Sequence, residues 1–345
     1  MSTPANSNNN ESRIPMVSIV IPMRNEEDHA EESIVSLLRQ TYPAGCYELV
    51  VVDGNSTDNS RQIVERMQQS WPNLRLLDNP AGITPKSMNL GIRSAVGEII
   101  VRADAHNVYP PDYVEGCVKV LEQTGADNVG GPWRTVPGGD TFGARVVATV
   151  LTSRFGVGNS HFRTSSLEGY VDTVPFGTFR RDLFDRVGFF NEYLVRNQDN
   201  ELNARIRKAG GKIYLTPALT TNYYAPATFA KLLRQTYKNS KWHFFTLRQM
   251  HSSLGVRHLL PAGFVLGLLL LASLAFAYPP ARLGLAAILL VYFFVASIFA
   301  ARTDAPVAVK LALPFAFFAF HICYGVGTLA GLRFVVADPS AAPIR

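Results

Sequence analysis

The sequence predicts an α/β fold, a mostly parallel sheet wrapped by helices, followed by an interfacial helix and three C-terminal transmembrane helices. Three observations carry this prediction. Short apolar runs alternate with helix-period segments over residues 17–101, three uncharged apolar stretches fill the last quarter, and charge is partitioned along the chain. The 345 residues are 47% hydrophobic and only 17% charged, against roughly 25% charged in ordinary soluble domains. That composition excludes a disordered chain, a collagen-like repeat and a nucleic-acid-binding tail. Cys46, Cys117 and Cys323 are far apart, with no C-x-x-C pair, so neither a disulfide framework nor a zinc site is expected.

Val17–Pro22 (V-S-I-V-I-P) is an apolar run closed by proline, the pattern of a fully buried strand. Residues 26–40 then place Ala30, Ile34, Leu37 and Leu38 at helical spacing behind an acidic first turn. Glu48–Asp53 (E-L-V-V-V-D) reads as the second strand and runs into G-N-S-T-D, a stretch of turn formers and helix caps. A helix at 58–69, a strand at 74–78, a helix at 85–95 and a strand at 98–101 follow. This rhythm predicts a parallel, doubly wound sheet, in which ligands bind beyond the carboxyl ends of the strands. The polar residues there are Arg24-Asn25-Glu26, Asp53 and Arg102-Ala103-Asp104-Ala105-His106. They are the candidates for function.

The apolar stretches at 259–278, 283–301 and 311–332 are each about 20 residues long, enough to cross a hydrocarbon core of ~30 Å. None contains Asp, Glu, Lys or Arg. His321, inside the third, is expected to face inward and be hydrogen-bonded. Residues 1–201 carry 18 Lys/Arg against 25 Asp/Glu, whereas 202–258 carry ten Lys/Arg and no acid. An acidic body, a basic collar and a nearly uncharged tail therefore follow one another. Lys231, Arg234, Lys238 and Lys241 share one helix face, with Phe229, Leu233, Thr236, Ser240 and Phe244 opposite. Such a helix is expected to lie against anionic headgroups, where its charges are also able to hold a phosphate-bearing lipid. Arg248, Arg257, Arg302 and Lys310 flank the spans on one side and Arg282 on the other, so the positive-inside rule puts residues 1–258 in the cytoplasm. The polar N-terminus is not expected to be a signal peptide. The implied organisation is a disordered leader at 1–14, an α/β domain at 15–228, the collar at 229–258, a membrane region at 259–335 and a tail at 336–345.

Four blocks in order, V-S-I-V-I-P-M-R-N-E-E, V-V-V-D-G-N-S-T-D-N-S, G-E-I-I-V-R-A-D-A-H and N-Q-D-N-E-L-N-A-R-I-R-K-A-G-G, resemble family-two glycosyltransferases of the GT-A fold. R-x-D-A-H, A-D-N-V-G-G-P, G-Y-V-D-T-V and N-Q-D-N-E-L-N-A-R make the chain most similar, within that family, to the succinoglycan-biosynthesis glucosyltransferase group. The resemblance covers about residues 15–260. It implies an inverting, nucleotide-sugar-dependent hexosyltransferase on the inner (cytoplasmic) membrane. Such an enzyme would move glucose from UDP-glucose to a polyprenyl-diphosphate-linked sugar, with membrane lipids as further partners. An acidic body makes nucleic acid an unexpected partner.

Such an enzyme holds a diphosphate, stabilises it as it leaves and deprotonates an acceptor hydroxyl. A diphosphate with Mg²⁺ or Mn²⁺ calls for oxygen ligands, and Asp104 fits that role. The family's D-x-D motif here reads Asp104-Ala105-His106, which makes an imidazole the second metal ligand and favours Mn²⁺ somewhat. By resemblance Asp53 contacts the base or ribose, Glu26 is another nucleotide-side contact, and Lys86 meets the donor phosphates; Asp53 is also a candidate for an Asx turn. The family's Glu-Asp appears as Gln198-Asp199. Asp199, in the first turn of a predicted helix where the dipole favours a carboxylate, is then the catalytic base, and Glu201 the structural partner of Arg205. Val174–Arg180 is expected to bring a glycine beneath aromatics on the acceptor side. Gln235-Thr-Tyr-Lys238 stands where processive relatives carry Q-x-x-R-W, and its departure from that motif predicts a non-processive enzyme. The competing expectation, resting on Gln198, is a catalytically weakened membrane scaffold of the same fold.

Overall fold

The computed structural model describes residues 13–164 and 167–337, with side chains described as far as Arg333. The expected leader and tail fall mostly outside the described residues. The first half runs β1 (Val17–Met23), α1 (Ala30–Leu38), β2 (Tyr47–Asp53), α2 (Ser60–Gln68), β3 (Leu74–Asp78), α3 (Thr84–Ser94), β4 (Ile99–Arg102) and α4 (Tyr113–Thr124). It continues through β5 (Asn128–Gly130), β6 (Trp133–Val136), α5 (Phe142–Thr152), α6 (Arg154–Val157), α7 (His161–Thr164), β7 (Gly169–Tyr170), β8 (Thr178–Arg180) and α8 (Leu183–Val187). Then come α9 (Gln198–Lys208), β9 (Ile213–Leu215), β10 (Thr221–Tyr224), α10 (Phe229–Ser240) and α11 (His243–Gln249). Three long helices close the chain: α12 (Leu260–Ala277), α13 (Pro280–Ala301) and α14 (Val307–Ala337).

The main sheet has strand order β3-β2-β1-β4-β8-β5-β9-β7. β3, β2, β1 and β4 are mutually parallel, and every residue of β2 is buried. Helices cover both faces of these strands, which is why their sequence is continuously apolar rather than alternating. Because β1 lies between β2 and β4, the chain departs in opposite directions from the β1–β4 boundary. A crevice opens there, past the carboxyl ends. The far side of the sheet departs from the parallel expectation: β8 runs antiparallel to β4 and β5, and β7 antiparallel to β9. A second sheet pairs β6 with β10 in parallel. These strands are two to four residues long, too short to impose a periodicity that sequence reading detects.

α12, α13 and α14 are 18, 22 and 31 residues long, and all three are long and apolar enough to span a membrane. Leu270, Phe276, Leu290, Phe294 and Phe315 are exposed on their outer faces, as suits helices whose solvent is lipid. α14 begins at Val307, a full turn before the expected span at 311. The three cysteines are free.

The collar differs from expectation in posture. Lys231, Arg234 and Lys238 stay exposed, but Leu232, Thr236 and Ser240 are buried, and Phe229 and Leu233 pack into a core shared with α5, α13 and α14. The apolar face thus rests on a membrane helix instead of in lipid. Glycine permits this approach: a Cβ at Gly327 would stand 2.0 Å from Ser240 Oγ, and one at Gly331 2.3 Å from the Lys241 carbonyl oxygen. In the same core, Val147 and Val150 of α5 join Ala300, Leu313 and Phe317. The α/β body and the membrane helices are one packed unit.

Candidate active site

The crevice is built from the turns after β1, β2 and β4 and the first turn of α9. Arg102, the last residue of β4, is 7% exposed. Its backbone N–H donates to Gly177 O at 3.0 Å, and the next residue's N–H donates to Val20 O at 3.1 Å, which fixes the strand end. The guanidinium bridges two carboxylates. Nη1 donates to Asp199 Oδ1, and Nη2 lies 3.4 Å from Asp104 Oδ1. Burial opposes the cation, but Asp199 and then Asp104 more than offset it, raising the Arg102 pKa above its ordinary value. Asp199, at the second position of α9, reaches this bridge from an element 97 residues downstream.

The backbone of the Asp104 turn is pinned as well. Its N–H donates to Tyr109 Oη at 2.8 Å, and its carbonyl accepts from Ser33 Oγ at 3.1 Å. Among the described residues the Asp104 carboxylate makes a single contact, to Arg102, so it keeps capacity for a ligand. His106 Nδ1 lies 3.1 Å from Glu26 Oε1. Burial disfavours the imidazolium, yet the bond to Glu26 and the charge of Asp104 prevail and raise the His106 pKa. A carboxylate that takes Nδ1–H leaves Nε2 as the free donor atom, the arrangement common to metal-binding histidines. Glu26 thus turns one carboxylate oxygen to His106.

Among the described residues no group of three or more His, Cys, Asp or Glu side chains is gathered as a metal site. Asp104 and His106 fit a cation shared with a ligand's own oxygens, not one caged by protein alone. Asp53 ends β2, two strand spacings or roughly 10 Å from β4. It is 4% exposed, and its carboxylate accepts from Ser56 Oγ at 2.5 Å and from Ser56 N at 3.2 and 3.3 Å. The Asx turn is thus present. It also ties the loops together, since Ser56 Oγ accepts from Asn25 N at 3.0 Å. Lys86 is exposed in the first turn of α3 and makes no ion pair among the described residues. Asp104 and Asp199 thus meet at Arg102 and Glu26 meets His106; Asp53 stands at the next loop, and Lys86 at the start of α3.

Glu201 is 4% exposed and pairs with Arg205 through Nε at 2.7 Å and Nη2 at 2.8 Å, and Arg205 also donates to Phe189 O at 2.8 Å. It is a structural pair. Gly177 does not admit a sugar ring: its missing Cβ would stand 2.4 Å from both Asn128 Oδ1 and the Phe179 ring, so its bareness serves packing. Sequence reading named Arg102 among the polar residues past β4 without a role. It missed Tyr109, whose signal, an aromatic five residues after Asp104, is too common to single out.

With this geometry in view, the comparisons are decisive. Residues 18–188 match the sequence profile described as Glycosyl transferase family 2. Succinoglycan biosynthesis protein ExoA of Rhizobium meliloti (strain 1021) is 32% identical over 245 residues, covering 70% of this chain and 73% of that one. The chain belongs to glycosyl transferase family 2. A second member of wide coverage is the dolichyl N-acetyl-alpha-D-glucosaminyl phosphate 3-beta-D-2,3-diacetamido-2,3-dideoxy-beta-D-glucuronosyltransferase of Methanococcus voltae. It is 24% identical over 328 residues, 92% of this chain and 97% of the relative. Among solved structures, the mannosyltransferase PcManGT from Pyrobaculum calidifontis, in complex with GDP-Man and Mn2+, superposes with a TM-score of 0.57 at 20% identity, over 95% of this chain and 89% of that one. S. aureus TarS 1–349 follows at 0.51 and 17%, over 92% of each. The fold is GT-A, and this family-two glycosyltransferase carries three apolar C-terminal helices of membrane-anchor length.

Proposed function

We propose that the chain is an inverting, non-processive hexosyltransferase of the inner membrane, its α/β body facing the cytoplasm. It moves glucose from UDP-glucose to a polyprenyl-diphosphate-linked sugar during exopolysaccharide or glycan assembly. The observation that carries this reading is the Arg102 bridge, which holds Asp199 beside Asp104 at the sheet's open crevice. The names of the relatives support the pathway and the acceptor: one acts in succinoglycan biosynthesis, another on a dolichyl-linked sugar phosphate. The mannosyltransferase bound to GDP-Man and Mn2+ supports a nucleotide-sugar donor with a divalent cation.

In this reading Asp199 takes the proton of the acceptor hydroxyl as it attacks the anomeric carbon in line with the departing diphosphate. Arg102 fixes the direction of the Asp199 carboxylate. Asp104 and His106 hold a divalent cation, which when bound supplies charge neutralisation for the leaving diphosphate. Glu26 orients His106, and Asp53 shapes the loop against which the nucleoside rests; Lys86 reaches the donor phosphates from α3. The basic face of α10 lies toward anionic headgroups.

Incubating membranes that contain the protein with a panel of nucleotide sugars, with and without polyprenyl-linked acceptors, tests the assignment. UDP-glucose is expected to give the fastest release of free nucleoside diphosphate, and only with acceptor present. Faster release from another donor replaces glucose; release that ignores the lipid acceptor removes that acceptor. No release from any donor returns the chain to the scaffold reading.

A further inference from the structure

Between the α/β body and the membrane helices lies a cavity of about 500 Å³ that the catalytic residues do not use. The α/β body contributes Arg163 and Asn200 to its lining, the collar contributes Gln235 and Arg257, and the membrane helices contribute Phe264 and Phe320. Charged groups come from the body and the collar alone, while apolar wall comes from all three parts.

Arg163 is the unusual member. Its guanidinium carbon sits 4.4 Å from the Trp133 ring centroid and 4.9 Å from that of Tyr223, and these two rings stack on each other at 4.5 Å. The rings fix the planar fork in place. Nη1 is buried without a hydrogen-bond partner, and no carboxylate among the described residues pairs with the group. Burial pulls its pKa down, with only Tyr223 opposing. Arg163 is half-buried as a residue; a largely desolvated cation without a paired anion is costly, and its planar fork suits a bidentate anion such as a phosphate. Arg257 lines the same space, partly neutralised by Asp172 at 3.3 Å.

Position adds the second argument. Asn200 follows Asp199 in the first turn of α9, so the cavity reaches the turn that carries the proposed base. Gln235, from the segment that departs from the processive motif, donates toward Tyr223 Oη at 3.5 Å on the opposite wall.

We propose that this cavity seats the phosphate of the acceptor: a long-chain isoprenoid phosphate or diphosphate ester whose anionic head rests on Arg163 and whose chain leaves between the membrane helices past Phe264 and Phe320. The proposal rests on the reading of the chain as a transferase that uses a lipid-linked acceptor. It assigns the acceptor head to a preformed internal seat and leaves the exposed lysines of α10 to the general membrane surface.

The test is equilibrium binding of radiolabelled farnesyl diphosphate to the full chain in nanodiscs of neutral phosphatidylcholine. Saturable binding is expected, with Arg163→Gln weakening it by at least about tenfold, the loss of one charge-assisted contact. Arg163→Lys keeps the charge but loses the fork and is expected to fall between the two, which serves if Arg163→Gln fails to fold. Inorganic pyrophosphate and farnesol are each expected to compete poorly. Equal binding by wild type and Arg163→Gln overturns the site, and displacement by pyrophosphate as effective as by farnesyl diphosphate makes it a free-anion site instead. Lipid-dependent turnover with an unchanged acceptor KM in Arg163→Gln sinks this proposal while sparing the proposed function. Loss of farnesyl diphosphate binding in Arg163→Gln, with no turnover of any nucleotide sugar by wild type, does the reverse.

Discussion

Arg102 is a buried guanidinium and Arg163 a half-buried one, and their surroundings differ. Arg102 faces two carboxylates and is held more firmly charged than usual; Arg163 faces two aromatic rings and is held less firmly. The first is paired with two carboxylates and works as a strut between Asp104 and Asp199. The second has no paired carboxylate among the described residues. The crevice is therefore organised before any ligand arrives, while the cavity at the membrane junction carries a cation to which the proposal above assigns an anionic ligand. Successive residues of α9 face the two places, Asp199 the bridge and Asn200 the cavity, so the proposed reading divides donor chemistry from acceptor capture.

The predictions press on that division, beginning with the largest effect. Asp104→Ala is expected to lower turnover by more than about 100-fold, because it removes the carboxylate proposed to share a cation with the diphosphate. Arg102→Lys keeps a positive charge but is unable to span both carboxylates, and kcat is expected to fall about tenfold with little change in acceptor KM. Steady-state kinetics in detergent checks both, and a change confined to acceptor KM would move Arg102 to the other side of the comparison. At the junction, Gly327→Leu drives a side chain into Ser240 and the Tyr237 carbonyl. It is expected to cost about 1–3 kcal/mol of stability, read as a lower unfolding temperature, and to disturb acceptor binding before donor binding.

The smallest effect is one of pH. His243 is 3% exposed, its Nδ1 lies 3.0 Å from Thr328 Oγ1, and burial lowers its pKa from 6.5 to about 3. The unfolded chain therefore binds this proton first as pH falls. Its contribution is fully present above about pH 6.5 and is lost progressively toward pH 3. Between pH 7 and 5.5 the loss is about 1 kcal/mol. Thermal unfolding in detergent across that range should show the slope, and His243→Phe should flatten it.

Much of the crevice was legible because its rules are local. β1, β2 and β4 announce themselves as unbroken apolar runs, and ligand-binding residues follow their carboxyl ends, so Glu26, Asp53, Asp104 and His106 fall out of position alone. The Asx turn of Asp53 was a candidate as well, being local to its own loop. The pairing of Glu26 with His106 was not, since it depends on how two loops close on each other. The Arg102–Asp199 contact joins residues 97 apart, which no spacing rule reaches. The three spans were readable from length and lack of charge. The docking of α10 onto α14 was not, since Gly327 and Gly331 look unremarkable in an apolar helix. Arg163 sits in a four-residue helix with no periodicity, and its lack of a paired carboxylate among the described residues is a property of the packed molecule.

The most direct test of the account compares wild type with Asp199→Asn for nucleoside diphosphate release and donor binding in the same membranes. The account predicts that kcat falls by more than about 100-fold while donor affinity holds within a few-fold. Unchanged turnover in Asp199→Asn would contradict it and require another residue to take the acceptor's proton.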